Sequence, residues 1–94
     1  MSRSPLATFL HDPEAVLDYQ WDWTAWLGED TISSHTIVDD SDSLDIDSSL
    51  DTDTTVTAWI SGGTAGTNAR VTCHIITGDG REDDRTITLR IRER

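Results

Sequence analysis

The chain has 94 residues and a formal net charge of −11, from 18 acidic and 7 basic residues. This length provides one small domain and excludes a large catalytic cleft with a lid. The acidity argues against nucleic-acid binding, because carboxylates repel phosphates. A single cysteine excludes a disulfide within the chain, and no apolar stretch has membrane-spanning length.

Every basic residue is an arginine, and aspartate far outnumbers glutamate. This composition favours a halophilic host, because carboxylates retain water and salt near 1 M shortens the Debye length to about 3 Å. A GC-rich genome, which favours arginine over lysine, is the alternative explanation. The first ten residues lack the continuous apolar region of a signal peptide, so the sequence does not indicate secretion.

The chain begins with an expected extended leader, residues 1–11. Pro5 and Pro13 disfavour regular structure there, because proline lacks a backbone N–H and has a fixed φ. The folded domain is expected to cover residues 12–94.

The most informative segment is an aromatic run near the start of this domain. Tyr19, Trp21 and Trp23 alternate with polar residues, which is the period of a strand with one buried face. Trp23, Trp26 and Leu27 then follow helical spacing, which predicts a helical turn or a bulge. These aromatics either anchor the core or dock a partner. The core explanation is favoured for Tyr19 and Trp21, and docking competes better for Trp23 and Trp26.

Five further strands are predicted after the aromatic run. They cover residues 31–38, a short stretch marked by Leu44 and Ile46, and residues 54–60, 70–77 and 85–92. In the last three strands, the residues predicted to face the core are Val56, Ala58, Ile60, Val71, Cys73, Ile75, Ile87, Leu89 and Ile91. Turn signals separate the strands, and no long helical pattern occurs. The sequence therefore predicts an all-β, immunoglobulin-like β-sandwich of about six or seven antiparallel strands.

No motif for catalysis, for a cofactor or for a metal is found. The aspartates of residues 39–53 match a calcium loop in composition, but the segment lacks the glycine and the glutamate of an EF-hand. A solvated acidic surface is expected there, with a divalent-cation site as the alternative. Cys73 is expected to be an inert buried thiol. The chain is therefore expected not to be an enzyme and to need no cofactor.

The last strand carries a basic ladder on an otherwise acidic protein. Arg90, Arg92 and Arg94 alternate with Leu89 and Ile91, so the arginines are expected to face outward. Charge that protects an exposed sheet edge is one explanation. The other is pairing with an acidic face of a neighbouring copy, since the first half of the chain supplies such a face.

Residues 12–27 carry the motif Asp-Pro-x-Ala-Val-Leu-Asp-Tyr-x-x-Asp-Trp-x-x-Trp-Leu. This motif resembles a family of short virion proteins of tailed phages, described as fibre-tail adaptors or neck and tail accessory proteins. The resemblance continues in residues 58–67 and 80–94. It implies a non-enzymatic structural protein of the virus particle that links the neck or tail to a fibre or spike. The implied partners are other virion proteins and copies of the same chain, and neither nucleic acid nor a membrane.

The residues expected to contact these partners are Tyr19, Trp21, Trp23, Trp26, Arg90, Arg92 and Arg94. One alternative function is a capsid decoration or head-completion protein of the same fold. Another is a cellular carbohydrate- or peptide-binding module in which Trp23, Trp26 and Trp59 stack on sugar rings. A calcium-stabilised adhesive repeat is a third, which the single copy argues against.

Overall fold

A computed structural model describes residues 7–93, which form seven strands and one short helix. The strands are β1 (Ala7–His11), β2 (Val16–Asp22), β3 (Ile32–Asp39), β4 (Leu44–Asp51), β5 (Thr55–Gly62), β6 (Asn68–Thr77) and β7 (Glu82–Ile91), and α1 (Thr24–Leu27) lies between β2 and β3. In this part of the chain, no helix has the length and apolar character that a membrane crossing requires.

The strands form two sheets that pack as a β-sandwich. One sheet has the order β1-β7-β6-β3, and the other has the order β2-β5-β4. This division is consistent with an immunoglobulin-like arrangement, in which the second, fifth and fourth strands share one sheet and the third, sixth and seventh share the other. The predicted all-β sandwich is confirmed. One detail differs from the prediction, because β1 runs parallel to β7 rather than antiparallel.

Residues 7–11, which the sequence analysis places in the leader, form β1. Ala7 lies opposite Ile87 and His11 lies opposite Ile91 on β7. His11 is fully buried, its Nδ1 lies 2.7 Å from the hydroxyl of Tyr19, and burial lowers its pKa. This part of the leader is therefore built into the sandwich. The boundary between leader and domain stays a prediction, and residues 1–6 lie outside the described residues.

The core lies between the two sheets, where the predicted inward faces of β5, β6 and β7 are confirmed. All nine of the residues predicted for these faces are buried, and eight of them are at most 1% exposed. Burial raises the pKa of the Cys73 thiol to about 12. The thiol therefore stays protonated at neutral pH, as expected of an inert core cysteine.

Two glycines allow the turns that bring these strands together. Gly63 follows β5 with a φ of 104°, and a Cβ atom there would lie 2.6 Å from Cδ1 of Ile91. Gly80 has a φ of 86° in the turn between β6 and β7, where the Thr77 N–H donates to the Arg81 carbonyl at 2.8 Å. Both conformations are strained for a residue with a side chain. Turns therefore lie where the sequence predicts breaks between these strands.

Candidate functional site

The aromatic run folds as a strand that continues into a helical turn. In β2, Leu17, Tyr19 and Trp21 face the core, because alternate side chains of a strand lie on one side. The carboxylate of Asp22 accepts hydrogen bonds from the Thr24 N–H at 3.0 Å and from its hydroxyl at 2.5 Å. These bonds lower the pKa of Asp22 and stabilise the start of α1. The predicted change from strand to helical turn is confirmed.

Two tryptophans and two arginines stack at this end of the sandwich. The rings of Trp23 and Trp26 meet edge to face, with centroids 5.4 Å apart. The guanidinium of Arg85 lies 4.2 Å from the centroid of Trp23, and that of Arg81 lies 4.3 Å from the centroid of Trp26. Each arginine thus gains a cation–π contact with an indole face. These four residues together with Asp30 are called the aromatic corner below.

Arg81 connects three parts of the aromatic corner. Its Nη2 donates to the Leu27 carbonyl at 2.9 Å, at the end of α1. Its Nε donates to the carboxylate of Asp30 at 3.1 Å, and its guanidinium covers Trp26. Because the two hydrogen bonds lie in the plane of the guanidinium and Trp26 contacts its face, these contacts together fix its orientation. The exposed face of Trp26 is therefore held in one position.

Asp30 is the buried acid that orders the loops of the corner. It is 9% exposed and accepts hydrogen bonds from the backbone N–H groups of Thr31 at 2.8 Å and Asp79 at 3.2 Å. A hydrogen bond from the side chain of Thr77, together with these donors and Arg81, holds the pKa of Asp30 below its usual value against the cost of burial. The ionised carboxylate thus joins the loop after α1 to the β6–β7 turn.

Sequence reasoning missed Asp30, Arg81 and Arg85 as parts of this site. Arg81 and Asp30 are 51 positions apart, and Arg85 donates from Nη1 to the Asp22 carbonyl at 2.8 Å across 63 positions. No local pattern marks pairs at such separations. The one available signal is residue type, since arginine is the cation best suited to stack on an indole.

Three of the aromatic residues predicted to bind a partner are buried. Tyr19, Trp21 and Trp23 are 7%, 4% and 0% exposed. Of the two explanations left open for Trp23, its burial favours the core over docking, because the two sheets and Arg85 enclose it. Any contact of the three residues with a partner stays a prediction. Trp26 is only partly buried. Trp59 is also partly buried and lies on the outer face of β5.

The comparison with known families covers most of the chain. A family model described as Gp77, podophage GP4 fiber-tail adaptor protein gp77, matches residues 11–90. The chain belongs to this family. The match confirms the fibre-tail adaptor type inferred from the resemblance, and it includes the whole aromatic corner. It supports a structural role for this family member in a phage particle. A search among curated proteins finds no match.

The arginines at the end of β7 differ from one another in this adaptor-family chain. Arg90 is exposed, as predicted, and makes no ion pair among residues 7–93. Arg92 donates from Nη1 to the carbonyls of Thr67 at 2.9 Å and Ile91 at 2.8 Å, so it holds the β5–β6 loop. Arg94 lies outside the described residues. Because β7 lies between β1 and β6, protection of a sheet edge does not explain Arg90.

A polar line of side chains joins the two sheets of this family member at β3 and β4. His35 Nδ1 lies 2.5 Å from the Asp51 carboxylate, and its Nε2 lies 2.8 Å from the Ser49 hydroxyl. In a hydrolase with such a line, the histidine activates the serine and separate N–H groups stabilise the oxyanion. Ser49 lies within the regular ladder between β4 and β5, opposite Ala58. The arrangement therefore acts as a link between strands.

The first aspartate of the acidic stretch 39–53 is hydrogen-bonded to the backbone of the same chain. The carboxylate of Asp39 accepts hydrogen bonds from the N–H groups of Ser41 at 3.0 Å and Leu44 at 3.1 Å. Among residues 7–93, no group of three His, Cys, Asp or Glu side chains is arranged to hold a metal ion. Asp40 accepts a hydrogen bond from the Arg70 N–H at 2.9 Å, and Asp51 bonds His35. The other aspartates of the stretch are exposed and form an acidic surface: Asp42, Asp45, Asp47 and Asp53.

Proposed function

We propose that this family member links a fibre to the tail of a tailed-phage particle as a structural adaptor. The match of residues 11–90 to a fiber-tail adaptor family carries the proposal. The seven-stranded sandwich supports it, because paired strands hold surface groups in fixed positions and thus reduce the entropy lost on binding. No catalytic step is part of the proposed role.

The first proposed contact surface is the exposed side of the aromatic corner. Tryptophan and arginine are the residue types that most often dominate the binding energy of an interface. Trp26 and Arg81 are stacked on one another and held by Asp30, so a partner meets a surface that is already ordered. Trp26 keeps the docking role predicted for it. Arg81, rather than the buried Trp23, is the second residue proposed to contact the partner here.

The second proposed contact surface lies around Arg90, near the opposite end of β7. Glu82 and Arg90 are eight positions apart on one strand, which corresponds to about 27 Å at about 3.4 Å per residue. The protein is thus long enough to hold two partners at two ends. An unpaired arginine on an acidic protein fits an acidic partner surface, either on a tail component or on a neighbouring copy.

The particle itself provides the test of the adaptor role. Particles assembled without this protein are expected to lack fibres, and the wild-type chain supplied in trans is expected to restore them. Trp26→Ala and Arg90→Gln are each expected to restore fewer fibres than the wild-type chain. Trp59→Ala, on the outer face of the three-stranded sheet, serves as the control. Fibres present at normal numbers on particles that lack the protein would overturn the proposal. Labelled protein found on the head rather than the tail would favour the capsid decoration alternative.

The carbohydrate-binding alternative is tested with the same control variant. Trp59 lies on β5 between Asp18 and Ser48 of the adjacent strands, so its indole is the aromatic surface on the three-stranded sheet. Binding on a glycan array that Trp59→Ala abolishes would favour a sugar-binding module. Binding to virion proteins without any glycan signal favours the adaptor.

We also propose that the host is halophilic, on the basis of the net charge of −11 without lysine. Circular dichroism is expected to show a more stable fold in about 2 M KCl than in about 0.1 M, because salt screens the repulsion between carboxylates. Equal stability at both concentrations would contradict this proposal and leave the adaptor role unaffected.

A further inference from the structure

Within residues 7–93, strand β7 is paired with β6 along almost its whole length on one side and with β1 along only half of it on the other. β6 pairs with β7 from Glu82 to Arg90, whereas β1 pairs only with Ile87–Ile91. Within residues 7–93, the first half of β7, Glu82–Thr86, therefore has no strand beside it on the β1 side. This side of Glu82–Thr86 is called the β7 half-edge below.

Backbone groups of alternate residues point to the half-edge. The Thr77 N–H donates to the Arg81 carbonyl, which sets the alternation of the antiparallel ladder between β6 and β7. In that alternation, residues 83 and 85 bond to β6. Residues 82 and 84 direct their N–H and C=O groups toward the half-edge, and Thr86 directs its N–H there, since its C=O lies against Ala7 of β1. The N–H of Asp84 is bonded instead to the carboxylate of Asp83 at 2.8 Å.

A cavity of about 150 Å³ lies beside the half-edge, between β7 and the end of β2. Its lining residues are Ala7, Gln20, Trp21, Asp22, Arg85, Thr86 and Ile87. Trp21 is 4% exposed, and its indole N–H has no hydrogen-bond acceptor among the described residues. A cavity of this volume admits a group the size of benzene. The cavity thus has room for an aliphatic side chain.

The rim of the half-edge is acidic. Glu82, Asp83 and Asp84 are consecutive in β7, and Asp22 lies across the cavity on β2. His74 bonds the carboxylates of Glu82 and Asp84 and so neutralises part of this charge.

Arg85 adds no free cation to this rim. Its guanidinium stacks on Trp23 and donates to the Asp22 carbonyl. Since carboxylates therefore remain in excess, the rim complements a basic segment.

We propose that the β7 half-edge binds an extended basic segment of another virion protein, which adds to the four-stranded sheet as a strand. Added strands of this kind are bound by backbone hydrogen bonds, and alternate side chains give specificity. An aliphatic side chain of the segment fills the cavity beside Trp21, and its arginine or lysine side chains pair with the acidic rim. This inference rests on the proposed adaptor role and specifies the chemistry of one partner.

The test uses the full chain and a short synthetic peptide of alternating arginine and valine, blocked at both ends. Calorimetric titration is expected to show binding, and hydrogen exchange is expected to slow at the amides of Glu82 and Thr86. A peptide of the same sequence with alternate amides N-methylated cannot form the ladder and is expected not to bind. Exchange at Ser48 and Leu50 on the distant strand β4 is expected to remain unchanged.

Paired charge variants separate a specific site from general attraction to an acidic protein. Glu82→Gln with Asp84→Asn removes two carboxylates at the rim, and Asp45→Asn with Asp47→Asn removes two from β4. The first variant is expected to weaken peptide binding about tenfold and the second to leave it nearly unchanged. Circular dichroism of both variants verifies that they are folded.

Several outcomes would overturn the inference. One is the absence of peptide binding, which would leave the acidic residues as protection of an open edge. Another is binding that tolerates N-methylation or responds equally to both charge variants. Peptide binding seen only after deletion of residues 1–6 would show that these residues of the same chain occupy the half-edge. Self-association that the peptide blocks would show that a second copy of the chain occupies it. All of these results concern peptide binding by the isolated protein. The adaptor proposal is tested separately, by fibre attachment to particles.

Discussion

The two ends of the sandwich use their arginines in different ways. At the aromatic corner, Arg81 and Arg85 each stack on an indole and donate a hydrogen bond to a carbonyl of the chain. At the other end, Arg90 is exposed and makes no ion pair within residues 7–93. Changes at the corner are therefore expected to affect folding as well as the proposed binding, whereas a change at Arg90 is expected to affect the surface alone.

The largest effect is expected for Trp23→Ala at the corner. Trp23 is fully buried, and truncation of a buried tryptophan lowers the free energy of unfolding by about 3–5 kcal/mol. Urea denaturation measures this loss, with Trp59→Ala on the outer face of β5 as the control. A loss for Trp23→Ala no greater than that of the control would contradict its place in the core.

A smaller loss is expected for Asp30→Ala. The substitution removes the acceptor of the Thr31 and Asp79 N–H groups and of Arg81, and unsatisfied donors of this kind cost about 1–3 kcal/mol. The same urea experiment measures this loss. A free energy of unfolding equal to that of the wild type would show that the corner does not depend on this carboxylate.

The lowered pKa of Asp30 leads us to expect a change in the free energy of unfolding at acidic pH. Because the folded state holds the charged form below the ordinary value of 3.8, its contribution is complete above that pH and is lost as the pH falls through the folded pKa. The difference in stability between wild type and Asp30→Asn is therefore expected to shrink on acidification below about pH 4. A difference that is constant with pH would contradict the lowered pKa.

Trp26→Ala is expected to reduce stability less than Trp23→Ala and to reduce partner binding more than its effect on the fold suggests. The variant loses one aromatic contact and one cation–π contact, together about 1–2 kcal/mol. An interface tryptophan at a hot spot contributes about 2–4 kcal/mol to binding. Affinity for the purified fibre or tail component, measured beside urea denaturation, separates the two effects. Unchanged affinity would leave Trp26 as a purely structural residue.

The smallest effect on folding is expected for Arg90→Gln. Surface substitutions of this kind change the free energy of unfolding by less than about 0.5 kcal/mol. Incorporation into particles is nevertheless expected to fall. Arg92→Gln is the matched comparison, because it removes two hydrogen bonds to carbonyls and is expected to lower the melting temperature. Arg90→Gln with normal incorporation would exclude Arg90 from the interface.

Local pattern was enough to predict most of the elements. Alternation placed Val56, Ala58 and Ile60 on the buried face of β5, because the side-chain period of a strand is two wherever one face is covered. Helical spacing of Trp23, Trp26 and Leu27 predicted the turn that became α1. Predictions of this kind depend on residues a few positions apart, so the sequence alone contains the required information.

The burial of each tryptophan in the aromatic run could not be predicted from local spacing. Trp23 and Trp26 share one motif and one helical turn, yet Trp23 is fully buried and Trp26 is only partly buried. The difference arises because Trp23 points between the sheets, whereas Trp26 is covered by an arginine from the β6–β7 turn. Which tryptophan is available to a partner depends on residues that are distant in the chain.

The amino-acid sequence by itself determined strands β2–β7, the turns, the buried faces of β5, β6 and β7 and the family resemblance, since all of these follow from residue type and short-range spacing. Only the tertiary structure decided that residues 7–11 form a strand parallel to β7, that Asp30 meets Arg81 and that, within residues 7–93, half of β7 has no strand on one side. Pairings at such separations are fixed by the packing of the whole domain, because many alternative partners satisfy the same local rules.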